Sequence, residues 1–278
     1  MARLLLTLLA LLILPACTIR TAPAMSPIDH LPALRGGYFP LQSQEVGRNY
    51  HIYVRLPEGY ETGGTRRYPV VYLLDGDSLF PILAAQHLFL TYDDRLPEAI
   101  VVGIAYGSFD PAVNRRSIDF TPPGEGVEPS QAGAPAFMRF LRTELLPRIE
   151  RDYRADPARR ILFGQSRGGG FVLYSAFADP DLFWGRIASN PALRPARNVF
   201  FGPAPAAEPG DRRIVVASGE RDRPLLREDA LAWLRHWEGR PGLPWTIRGL
   251  TIPGGTHAAN SPDAHRRAMR WLFDLPDP

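Results

Sequence analysis

The chain has 278 residues, 45% of them hydrophobic and 22% charged, a balance that fits a globular α/β domain and excludes a disordered or fibrous protein. The formal charge is only +3 and the arginines are scattered among acids without a dense basic run, so nucleic acid is not an expected partner. Every one of the 32 basic residues is Arg; without Lys, Schiff-base chemistry, a phosphate-loop Lys and a Ser-Lys dyad are excluded, and His is the proton acceptor left for work near neutral pH.

Met1-Ala2-Arg3 and the apolar run 4–14 read as an export signal, positive at its start and too short for a free-standing membrane helix. It ends at Leu14-Pro15-Ala16-Cys17, which resembles a bacterial lipobox. Cys17 is the only cysteine, so no internal disulfide can form, and it is the expected lipidation site. Residues 18–34, rich in Pro, Ala and polar side chains, read as a flexible tether, and 35–278 as a single domain. The expectation is an exported, periplasmic protein held at a membrane by its lipid.

Residues 50–56 alternate like an antiparallel strand, with 35–44 a strand before them and 57–67 a turn after. The runs 70–74 and 99–104 are apolar throughout, as strands covered on both faces are. Residues 79–90 between them read as a helix. The stretch 108–134, broken by prolines and glycines, reads as a long loop contributing to a substrate pocket. Residues 135–151 read as a helix bent or restarted at Pro147, followed by a strand at 161–163 and a helix over 171–177. Three more strands, 187–189, 214–218 and 246–252, alternate with helices at 225–237 and 263–273. The alternation predicts an α/β fold, a mostly parallel central sheet with helices on both faces.

Between strand 161–163 and helix 171–177 lies Gly164-Gln165-Ser166-Arg167-Gly168. A serine on a sharp strand-to-helix turn lifts its hydroxyl above the sheet, and the crowded turn needs residues without side chains two positions to either side. Ser166 is therefore the expected nucleophile. Its base should follow a late strand and precede the last helix, where His257 stands in Gly254-Gly255-Thr256-His257. The acid should follow strand 214–218, where Asp222 is the choice and Glu220 the alternative. The expected oxyanion donors are the backbone N–H of Arg167 and that of Asp77, whose side chain has no expected part in that role. His51, His87, His236 and His265 read as structural, and His30 as part of the tether. Arg116 is a substrate-pocket residue able to orient an anionic or catechol group, or else a partner of Asp119 that holds the loop in shape. No metal-ligand pattern and no dinucleotide fingerprint occur, so neither metal nor cofactor is expected.

Taken together, Tyr72-Leu73-Leu74-Asp75-Gly76, Arg116-Ser117-Ile118-Asp119-Phe120-Thr121-Pro122, the Ser166 turn and Gly255-Thr256-His257 resemble the Putative esterase family of α/β-hydrolases over about residues 36–273. The Arg-x-x-Asp-x-Thr-Pro stretch is most similar to its periplasmic esterases that open trilactone siderophores. The resemblance implies the α/β-hydrolase fold and hydrolysis of a small-molecule ester. Arg167 stands where the family commonly has Leu or Met. Two other readings remain open: an envelope acyltransferase using the same residues, and a non-catalytic binding domain of this fold.

Overall fold

The structure is a computed structural model and describes residues 31–60 and 64–276. The expected leader, Cys17, His30 and residues 18–30 of the tether lie outside the described residues.

Chain direction and side-chain pattern together account for the sheet. The edge strand β1 (Gly36–Gln42) and its neighbour β2 (Asn49–Arg55) pair antiparallel through a short turn, and β2 shows the exposed-to-buried alternation of a strand covered on one face. The apolar runs become β3 (Tyr68–Leu73) and β4 (Ile100–Ala105), in which β4 is buried at every position. They are followed by β5 (Ala155–Gln165), β6 (Gly185–Ser189), β7 (Arg213–Arg221) and β8 (Thr246–Thr256). The eight form one sheet in the order β1-β2-β4-β3-β5-β6-β7-β8, parallel from β4 onward.

Alternation divides the core in two. Val70, Tyr72, Val102 and Leu162 face one side; Val71, Leu73, Val101 and Phe163 face the other. The second side is covered by α1 (Gly76–Tyr92) and the terminal helix, through Leu79, Phe80 and Leu83 from one and Ala264, Ala268, Met269 and Leu272 from the other. Phe163 is fully buried there, and truncating such a side chain to Ala typically costs about 3–5 kcal/mol.

The stretch expected to be loop holds a helical turn, α2 (Arg116–Asp119), and a 3-10 turn at Pro129–Gln131 before α3 (Ala134–Phe140). Its order comes from polar contacts that no hydrophobic period announces. The buried Asp119 carboxylate accepts hydrogen bonds from the hydroxyls of Tyr50 at 2.7 Å and Tyr106 at 3.0 Å, and Arg48 lies 3.1 Å away. At Pro147 the helix restarts rather than bends: the chain widens into a π turn, Leu141–Leu145, and Pro147 then sits in the first turn of α4 (Leu146–Asp152), where its missing N–H leaves no gap in the ladder. The remaining helices are α5 (Arg167–Ala178), α6 (Pro224–Trp237) and α7 (Ser261–Leu272). With the strands parallel, the turns after β3, β5, β6, β7 and β8 gather at one end of the sheet, where open α/β folds place their sites.

Candidate active site

Ser166 is the hinge between β5 and α5, at φ 58° and ψ −115°, a backbone conformation that an L residue adopts only under constraint. Three hydrogen bonds supply it: Ser166 N–H donates to the Ser189 carbonyl, and the Ser166 carbonyl accepts from Gly170 N–H and Ala192 N–H, each at 2.9 Å. Gly164 is required by contact rather than by its own φ, because a Cβ there would press into the Gly168 carbonyl and lie 2.9 Å from the Gly169 nitrogen.

His257 follows β8, which runs on to Thr256 through the Gly-Gly pair expected to be loop, because Thr256 pairs with Arg221 of β7. With the proton on Nδ1, His257 donates to Asp222 Oδ1 at 2.6 Å while its Nε2 accepts from the Ser166 hydroxyl at 3.0 Å. The Asp222 side chain is fully buried and that of His257 is 18% exposed, so the carboxylate is dry while the imidazole edge remains reachable. Asp222 Oδ1 also accepts from Arg223 N–H at 2.7 Å. Glu220 lies elsewhere: it is exposed and accepts the Gly254 N–H at 2.8 Å, holding the β7 and β8 ends together.

Three buried or half-buried polar side chains that sequence reasoning missed hold this arrangement. Asn190, fully buried at φ 42°, accepts the Gly219 N–H on Oδ1 at 2.8 Å and donates from Nδ2 to the carbonyls of Thr256 at 3.0 Å and His257 at 3.1 Å. One side chain thus ties the turn before the acid to the loop of the histidine. Gln165 donates to the same His257 carbonyl and accepts from the Ser261 hydroxyl, and Asn260 donates to Ser189 Oγ at 3.2 Å. The signal for Asn190 is a non-glycine residue at positive φ directly after a strand, which exists only in three dimensions.

On the other side of Ser166 lies the turn after β3. Asp75 is left-handed at φ 55°, and the N–H groups of Asp77 and Arg167 both fall in first turns, where no preceding helical carbonyl can accept them. The Asp77 side chain, expected to have no part there, accepts from Tyr106 N–H at 2.9 Å and Gly107 N–H at 2.7 Å and so ties the turn to the end of β4. The expected Arg116 to Asp119 pair does not form. Arg116 instead grips Asp75, Nε to Oδ1 at 2.5 Å and Nη2 to Oδ2 at 2.8 Å, and reaches the Gln165 carbonyl at 3.4 Å. Asp119 is taken up by Tyr50, Tyr106 and Arg48, and its own burial raises its pKa against their pull. A partner forty-one residues away replaces the one three residues away because the turn brings Asp75 to the guanidinium edge-on.

The other described histidines stand away from Ser166. His51 pairs with the Tyr38 hydroxyl at 2.7 Å on β2, His236 sits on α6 beside Trp237, and His87 and His265 are packed together in the core.

Comparison with known proteins bears on the family and the fold. The Putative esterase family model matches residues 43–277. Among curated relatives, the ferri-bacillibactin esterase of Bacillus subtilis is 36% identical over 169 residues, 55% of this chain and 57% of that protein. The apo-salmochelin esterase of Escherichia coli is 26% identical over 205 residues, 67% of this chain and 62% of that protein. The chain therefore spans less than two thirds of the length of either relative. Among solved structures, the BES protein from Bacillus cereus superposes with a TM-score of 0.73 at 21% identity, over 85% of this chain and 94% of that one, which supports the fold. The chain has the α/β-hydrolase fold and belongs to the Putative esterase family.

Proposed function

We propose that this protein hydrolyses carboxylic esters through an acyl-enzyme on Ser166, acting on a siderophore-type lactone in the cell envelope. The observation that carries the reading is the continuous chain of hydrogen bonds from the Ser166 hydroxyl through His257 to the buried Asp222. Ser166 Oγ attacks the ester carbonyl as its proton passes to His257 Nε2. The imidazolium so formed is held by the Asp222 carboxylate through Nδ1–H. The oxyanion meets the N–H groups of Arg167 and Asp77, donors that typically contribute ~3 kcal/mol each to lowering such a barrier. When the intermediate collapses, the alkoxide leaves with the proton from Nε2. A water molecule, deprotonated by the same imidazole, then releases the acyl group.

The substrate class is supported by the two relatives named as esterases of bacillibactin and salmochelin. The envelope location is supported by the leader pattern at 1–17 and by Cys17. The test is to incubate the purified protein with a cyclic trilactone and follow its opening by mass spectrometry. Gain of one water per ester, lost in Ser166→Ala, is expected. An intact lactone, or transfer of the acyl group to an added alcohol in preference to water, would contradict the assignment.

A further inference from the structure

Two guanidinium groups flank the Ser166 turn, and they are satisfied differently. Arg116 is bound along one edge by the Asp75 carboxylate and touches the Gln165 carbonyl. Burial works to lower its pKa, and the Asp75 hydrogen bond and charge override it, leaving the pKa raised. Its charge is thus matched inside the protein, and its donors brace the two turns that carry Asp77 and Ser166.

Arg167, directly after the nucleophile, is half-buried, and its one hydrogen bond among the described residues runs from Nη1 to Thr121 Oγ1 at 3.4 Å. No carboxylate among the described residues is close enough to pair with it, and burial, followed by the positive charge of Arg116, lowers its pKa. A partly desolvated cation facing a second cation is unfavourable until an anion arrives. Four of its five donors have no protein acceptor among the described residues, and they belong to the residue that directly follows the nucleophile, with its guanidinium turned to Thr121 of the 116–122 segment.

We propose that the Arg167 side chain is a specificity-determining group that receives an anionic oxygen group, such as a carboxylate, on the ester this site cleaves; the proposal rests on the ester-hydrolase reading above. A planar guanidinium pairs with two oxygens at once, so the preference is for a charged group with a paired-oxygen edge over a neutral one of the same size.

The experiment measures kcat/KM on two matched ester pairs. In one, the acyl chain ends in a carboxylate or a methyl; in the other, the alcohol part carries the carboxylate or a methyl. The quantity read is the charged-to-neutral ratio within each pair, so any general change in rate cancels. For Arg167→Leu the ratio should fall about ten-fold in at least one pair, as expected for losing a half-exposed charge-assisted contact. Arg167→Lys, which keeps the charge but loses the paired-donor edge, should give a ratio between those of Arg167→Leu and wild type, and added salt should lower it in wild type. Unchanged ratios in both pairs for Arg167→Leu would overturn the proposal. Absence of any Ser166-dependent hydrolysis, for charged and neutral esters alike, would instead overturn the ester-hydrolase reading, and the proposal with it.

Discussion

His87 and His265 lie fully buried with their rings 5.8 Å apart, and they should make the fold sensitive to mild acid. Neither ring nitrogen of His265 has a partner among the described residues, and His87 has one weak contact, Nε2 to the Pro97 carbonyl at 3.3 Å. Burial, followed by the charge of Arg55, lowers the His87 pKa to about 4; burial, followed by His87, lowers that of His265 to about 3. In the unfolded chain both return to about 6.5. Because the folded values are depressed, the stability these residues leave intact is fully present above about pH 6.5 and is lost as pH falls from there toward the folded values. Each histidine contributes a slope of about 1.4 kcal/mol per pH unit below 6.5, so each should cost about 2 kcal/mol between pH 7 and pH 5, and the pair about 4 kcal/mol. Replacing His265 by Leu removes no hydrogen bond and places an apolar side chain against Phe163. Urea unfolding across this range should therefore show the acid loss reduced by about half in His265→Leu, to roughly 2 kcal/mol. A variant that loses as much stability as wild type between the same pH values would refute the reasoning.

Three further outcomes concern the site. Asp222→Asn should lower kcat by about three to four orders of magnitude, because an amide neither fixes the His257 tautomer nor stabilises the imidazolium. Glu220→Gln, whose carboxylate touches only the Gly254 amide, should stay within about two-fold of wild type when esterase kinetics are compared side by side; a larger loss there than at Asp222 would reverse the choice of acid. Asn190→Gly keeps the positive φ but strands the Gly219 N–H, releases the Thr256 carbonyl and leaves the His257 carbonyl to Gln165 alone. It should cost about 2–4 kcal/mol in denaturant unfolding and at least about ten-fold in kcat/KM.

The parts of this molecule legible in its sequence are those fixed by local pattern. The apolar runs of β3, β4 and β7 announce themselves, since a strand covered on both faces has no polar position to interrupt it. The Gly-Gln-Ser-Arg-Gly turn is equally local, because crowding at Ser166 forbids side chains at fixed offsets. What escaped depends on residues brought together from afar. The first half of β5, Ala155 to Arg160, has no apolar run and meets β3 only at its two ends, Ala155 and Arg160, and the glycines of β8 are strand through Arg221. Arg116 had an acid three residues on and used one forty-one residues back, since the geometry of the Asp75 turn outweighs nearness in sequence. Asn190 looks like any polar residue after a short strand until Gly219, Thr256 and His257 are set around it.

The most direct test of the site is covalent. A fluorophosphonate probe reacts with a serine only when its hydroxyl is activated and its developing oxyanion is held, and peptide mapping locates the adduct. The account predicts one adduct, on Ser166, absent in Ser166→Ala and formed at least about a thousand-fold more slowly in His257→Ala. Equal labelling of wild type and Ser166→Ala, or an adduct on another serine, would contradict it.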